Sequence, residues 1–347
     1  MYSSFGLGLL LIVVGGLMEG SFSLPLKYTS KWAWENTWGA CSLGALVLIP
    51  WPLALLTVPH LMEVYGHSSV QALLGAVVFG VGWGVGGIFF GLGLAAVGLS
   101  LGLSLIMGLV AIGGSIIPLM MQHPEQLSRP PGLVLMGGIA IMILGIAVCA
   151  KAGQLKEKAA AAADSQASAG SSRKVRYGLG LFFCVAAGLL SALVNFALIF
   201  GANIADNAVR QGADPSAANN AVWALVFTAN YAVNVGYCAY LAKRNKTFNK
   251  FLSLGTAAYW TAAIGMGLLW AGGIVIYGIG TTQLGHLGAI LGFPVMLISS
   301  IITGNALGFL TGEWRGIGSQ PRHIMAFGVF LLVIATVVIA YSNRLVA

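Results

Sequence analysis

Acidic side chains are the scarcest feature of this sequence: nine among 347 residues, in a chain of which only 7% is charged at all. Soluble domains keep roughly a quarter of their residues charged, so a water-facing globule is excluded. Cysteine is equally thin. Cys41, Cys149, Cys184 and Cys238 lie in four separate apolar stretches with no CxxC pair, which argues against a disulfide framework or a metal site and reads as small packing residues. There is no HExxH, no phosphate-binding loop and no pair of carboxylates at membrane depth, so hydrolytic and ATP-driven mechanisms have no support. The N-terminal MYSSFGLGLLLIVVGG has no basic residue before its apolar run and no small-residue cleavage site after it. It reads as a helix kept in the mature protein rather than as a signal peptide.

What the chain has in abundance is apolar surface: 58% hydrophobic residues and 49 glycines, with a mean hydropathy of +0.90. That composition describes a polytopic membrane protein. About 20 apolar residues make one crossing, which predicts ten helices near 5–26, 36–57, 70–95, 97–121, 132–150, 176–200, 217–242, 254–277, 283–310 and 322–343. The fold class expected is all-α integral membrane, ten helices in two inverted five-helix repeats. Residues 1–150 form the first repeat and 176–347 the second. Between them lies KAGQLKEKAAAAADSQASAGSSRKV, residues 151–175, an Ala- and Ser-rich segment expected to be a partly flexible cytoplasmic linker.

The net charge of +8 does not point to nucleic acid, because the 17 Lys and Arg residues sit in short gaps between apolar runs. With the N-terminus outside, 14 of them fall on the inner side, among them Lys27, Lys31, Lys151, Lys243, Arg244, Lys246 and Lys250, and only Arg129, Arg210 and Arg344 fall outside. Both termini are therefore predicted to be periplasmic.

The halves repeat. An offset of 187 places Trp83, Gly86, Phe90 and Gly91 on Trp270, Gly273, Tyr277 and Gly278; an offset of 185 places Trp38 on Trp223 and Glu35 on Asn220. Another, of 172, sets Glu19 opposite Ser191. Five crossings per half make the copies inverted, the arrangement of transporters whose central site faces either side in turn.

Three sets of residues can carry chemistry. Glu19 sits inside the first apolar run, where an unpaired carboxylate costs at least ~2.5–3.5 kcal/mol. It is read either as the proton-coupling group or as a structural acid that hydrogen-bonds a neighbouring helix in its protonated form. The amides Asn195, Asn219, Asn220, Asn230, Asn234, Gln283 and Asn305 lie at membrane depth with Trp38, Trp83, Trp223, Trp260 and Trp270. Amides bond hydroxyls and rings cover CH faces, which suits a neutral polyhydroxylated ligand; the alternative is helix glue and interfacial anchoring. His286 is the second candidate for proton transfer, or an interfacial residue. The glycine runs FGVGWGVGG and GMGLLWAGG follow no strand and precede no acid, so they read as close helix packing, not as dinucleotide fingerprints.

KWAWENTW (31–38), FGVGWGVGGIFFGLGLAAVGLSLG (79–102), AGQLKEK (152–158) and GEW (312–314), in this order and spacing, resemble the L-rhamnose/proton symporter family of the drug/metabolite transporter superfamily, over essentially the whole chain. The resemblance implies a ten-helix bundle in the bacterial inner membrane that imports a 6-deoxyhexose with a proton. In small multidrug members of the wider superfamily a first-helix acid is the proton site, which Glu19 would match. The expectation is a proton-driven importer, most plainly of L-rhamnose, working by alternating access. Its substrate-binding residues would be Trp38, Trp83, Asn195, Trp223, Asn230, Trp270 and Gln283, with no cofactor beyond the coupling proton, as a monomer or weak homodimer. A facilitator or exporter on the same fold is the alternative; an integral-membrane enzyme would need a reactive His, Asp or Cys cluster, and none is visible.

Overall fold

The computed structural model describes residues 5–97, 102, 105–110, 113, 120, 124–126, 128–163, 173–253, 255–284, 288–312, 314–316 and 318–344, and among them there are helices and turns but no strand. That follows from the solvent: in lipid every backbone N–H and C=O must be satisfied within the protein, and a helix does so within one segment.

The helices are α1 (Phe5–Ser21), α2 (Trp34–Leu43), α3 (Pro50–Thr57), α4 (Leu61–His67), α5 (Val70–Val97), α6 (Pro130–Ala163), α7 (Arg173–Ser191), α8 (Leu193–Phe200), α9 (Ala202–Arg210), α10 (Asn219–Arg244), α11 (Ala257–Gln283), α12 (Gly288–Leu310) and α13 (Ser319–Arg344). Seven stretches among the described residues are long and apolar enough to cross a membrane: Trp34–Thr57, Val70–Gly93, Pro130–Lys156, Gly178–Arg210, Ala257–Gln283, Gly292–Leu310 and Ser319–Ser342; α1 is a shorter apolar helix. Most of the crossing expected at 97–121 lies outside the described residues.

Several elements depart from the expected spans. α2 and α3 form one span through a single π turn, Gly44–Leu48, with Pro50 opening α3 where its missing N–H costs nothing. α6 runs through Ala163 rather than stopping near 150, because QLKEKAAAAA is built from strong helix formers. The apolar stretch Gly178–Arg210 breaks at Ala192 between α7 and α8. The short helices α4 and α9 are polar-faced and were not anticipated from run length.

The described chain packs into two compact units. One comprises residues 1–20, 89–189 and 277–347; the other comprises 21–88 and 190–276. Each draws on both halves of the chain. In the first, α6 lies along α13, with a core of Ile139, Met142, Leu332, Ala335 and Ile339. In the second, α10 runs beside α2 and α3, over a core rich in alanine and valine, including Ala221, Val222, Ala224 and Val226. Lipid tails are as apolar as these side chains, so close packing of small residues, not expulsion of water, holds such helices together.

Three pairs of helix starts are separated by the offsets read in the sequence. Trp34 and Asn219 are 185 positions apart; Val70 and Ala257 are 187 apart, as are Leu61 of α4 and Phe248, which opens the 3₁₀ turn Phe248–Leu252.

Candidate functional site

In the second unit, Trp223, Phe227, Asn230, Asn234 and Cys238 recur along α10 at spacings of three and four, so they share one helix face. The rings come first. Phe227 stacks on Trp223 at 5.1 Å and 30° and lies 5.5 Å from Trp83 of α5 and 6.0 Å from Trp270 of α11. Trp83 and Trp270 are themselves 5.9 Å apart at 34°. Glycine makes this approach possible. A Cβ at Gly80 would fall 2.5 Å from the Val226 carbonyl oxygen, and one at Gly84 3.0 Å from Val233 Cβ.

One turn further along α10 the face turns polar. Trp38 Nε1 donates to Asn234 Oδ1 at 3.0 Å, and Asn234 Nδ2 donates to Asn230 Oδ1 at 2.6 Å. Both asparagines are buried. Among the described residues the Asn230 amide nitrogen has no acceptor, so a buried donor beside the aromatic cluster is available to a ligand hydroxyl. Trp34 stacks on Trp38 at 5.4 Å and 14°.

The other expected site residues separate. Gln283 belongs to the first unit, where it lies against Gly8 of α1. Asn195 is on α8, and its side chain is outside the description, as is the whole of His286. Asn220 Nδ2 donates to Thr57 Oγ1 at 2.9 Å, Asn305 Nδ2 returns to its own helix at Ile301 O, and Trp260 packs on Trp32 and Phe251. These three serve packing.

Glu19 is in the first unit, near the end of α1. There α1 lies backbone to backbone on α12: a Cβ at Gly16 would come within 2.5 Å of Ser299 Cβ, and one at Gly20 would run into the Ser300 carbonyl oxygen. The Ser299 and Thr303 hydroxyls turn back to their own helix, at Val295 O and Ser299 O. Glu19 Oε2 is left buried and without a hydrogen-bond partner among the described residues. A buried carboxyl oxygen with no donor is costly unless a proton, water or ligand joins it.

Two residues escaped the sequence reading. Phe227 forms the centre of the ring cluster, yet one Phe in an apolar run carries no signal of its own. Glu35 was noted only as a repeat partner, but it is 4% exposed and its Oε1 accepts from Asn245 Nδ2 at 3.0 Å and Thr247 Oγ1 at 2.7 Å.

The sequence model of the family described as L-rhamnose-proton symport protein (RhaT) matches residues 1–343. Among curated proteins, the L-rhamnose-proton symporter of Mannheimia succiniciproducens is 24% identical over 345 residues, 96% of this chain and 97% of that one. Those of Citrobacter koseri and Escherichia coli are each 23% identical over 343 residues, again 96% of this chain and 97% of the relative. No solved structure matches the chain. A family match across nearly the full length, together with multiple apolar helices, decides the assignment: the chain belongs to the L-rhamnose-proton symport protein family.

Proposed function

We infer that this protein is a proton-coupled importer of L-rhamnose or a closely related neutral 6-deoxyhexose in the bacterial inner membrane. The family is one of symporters, not enzymes, and the relatives named L-rhamnose-proton symporter support the substrate. The observation that carries the site is the ring cluster of Trp83, Phe227, Trp223 and Trp270 beside the uncommitted Asn230 amide. Rings take the CH and methyl face of a deoxysugar, and amides take its hydroxyls. No charged side chain belongs to the cluster, in keeping with a neutral ligand.

Ten crossings in two inverted five-helix repeats account for the spacing of the helix starts and for units that each take matching elements from both halves. Ile88 and Ile276, where the second unit's two segments end, are 188 positions apart, one from the repeat offset. Alternating access then consists of one set of helices rocking about a fixed site. Glu19 supplies the coupling: its orphaned oxygen takes a proton from outside and yields it inside, and no further cofactor is needed. Both termini lie in the periplasm, a topology that the one-sided basic residues support.

Proteoliposomes test this directly. With an imposed inward proton gradient they should concentrate labelled L-rhamnose. Exchange without accumulation would make the protein a facilitator, and indifference to every deoxyhexose would remove the sugar assignment.

A further inference from the structure

Beyond the ring cluster, the same face of α10 continues into a second feature. Cys238, two turns past Asn230, lines a cleft of about 170 Å³ together with Glu35, Gly39, Tyr231, Phe251 and Trp260. Ligand pockets run to ~300–1,000 Å³, so this cleft is smaller than a binding chamber. Cys238, in its wall, lies one turn beyond Asn234 on the same face of α10, so the cleft neighbours the Trp38–Asn234 hydrogen bond.

At its other side is a polar strap. Glu35 accepts from Asn245 and Thr247. Asn36, fully buried, donates from Nδ2 to Thr247 O at 3.0 Å, and Trp32 Nε1 donates to Lys250 O at 2.9 Å. Four hydrogen bonds thus join residues 32–36, in the first half of the chain, to residues 245–250, in the second. Hydrogen bonds of this kind suit a joint that must open repeatedly, because water replaces each lost partner on opening. Trp32 also packs edge-on against Phe251 and Trp260, at 5.4 Å each, so an aromatic contact accompanies the hydrogen bonds of the joint.

We propose that this cleft is the substrate's exit route to the cytoplasm and that the Glu35 strap is its gate, with Glu35 as the positioning residue that holds the Asn245–Lys250 turn closed. The proposal rests on the transport function and topology inferred above. The segment it closes carries Lys243, Arg244, Lys246 and Lys250, which marks the inner side. The Trp38–Asn234 bond forms the inner lip of the sugar site, and the strap forms the outer door of the passage below it.

Cys238 is a built-in reporter, since it lines the cleft yet is only 4% exposed. Inside-out vesicles containing the protein with its native cysteines are treated with a membrane-impermeant maleimide, and labelling at each cysteine is read by mass spectrometry. Glu35→Gln keeps the shape and removes the charge; Thr247→Val removes one donor. Both should speed labelling of Cys238 about tenfold, as expected when the closed state loses one charge-assisted hydrogen bond (Thr247→Val) or the charge that strengthens it (Glu35→Gln), while Cys149 and Cys184 react as before. Thr247→Val keeps the test valid if Glu35→Gln does not fold. Unchanged Cys238 labelling in the folded variants, or a parallel rise at Cys149 and Cys184, overturns the gate. Adding L-rhamnose separates the two readings. If the variants open Cys238 but rhamnose neither slows its labelling nor is taken up, the gate stands and the sugar assignment falls. If rhamnose accumulates while Cys238 stays shielded in both variants, the gate alone is wrong.

Discussion

Trp83 and Trp270 are 187 positions apart, and their rings touch at 5.9 Å. When two copies of a repeat are related by an approximate two-fold axis, equivalent residues meet only near that axis. Gly145 and Leu332 are a second such pair, in the other unit: a Cβ on the glycine would lie 2.9 Å from Leu332 Cδ2. If the halves are inverted repeats, as proposed above, the site lies where they meet, at the Trp83–Trp270 contact.

If these rings are the sugar platform, Trp83→Ala and Trp270→Ala should each weaken L-rhamnose binding by ~1–3 kcal/mol, roughly five- to 150-fold. Trp270→Phe, which keeps a ring, should lose less. Isothermal titration of the detergent-purified protein measures this; wild-type affinity in both folded alanine variants would move the site elsewhere.

Removing the indole donor in Trp38→Phe leaves Asn234 Oδ1 without its partner. An abandoned buried acceptor costs about 1–3 kcal/mol. Asn234→Leu should cost less when combined with Trp38→Phe than the two single changes added together. A double-mutant cycle on unfolding in detergent reads the difference, and strict additivity would mean that the bond contributes nothing.

Glu19→Gln fixes a neutral group of the same shape. Counterflow exchange of rhamnose should survive while accumulation driven by a proton gradient disappears. Gradient-driven accumulation by this variant would remove Glu19 as the coupling residue and bring His286 forward for the same test.

Gly20→Ala places a methyl group against the Ser300 carbonyl, in a backbone contact that cannot yield cheaply. Overpacking of this kind costs typically ~1–3 kcal/mol, and the melting temperature should fall. Gly6→Ala, on the same helix with nothing within 4 Å, is the matched control. Equal melting temperatures for both variants would show that α1 and α12 do not pack this closely.

Reporter fusions at residue 160 should read cytoplasmic and fusions at the C-terminus periplasmic, given the one-sided placement of the basic residues. A cytoplasmic C-terminus would invert the topology and, with it, the side on which the Glu35 strap opens.

The helical class and the approximate ends of most long helices were legible in the sequence. These are local consequences of the bilayer: run length follows from membrane thickness, and helix follows from the need to satisfy each backbone group within its own segment. The offsets of 185 and 187 could be read because tryptophan, with nine residues in the chain, is a rare enough marker to align. Which polar groups meet was decided by tertiary structure alone. Gln283 and Asn230 look alike in the sequence, yet one lies against Gly8 in one unit and the other beside the rings of the second. Asn305 looked the same and bonds its own helix. Glu35 reads as an acid in the first turn of a helix, where the helix dipole favours it; its partners Asn245 and Thr247 are 210 and 212 positions away. Side-chain pairing across such separations depends on how closely small residues let helices approach and at what rotation. No property of a single segment encodes that.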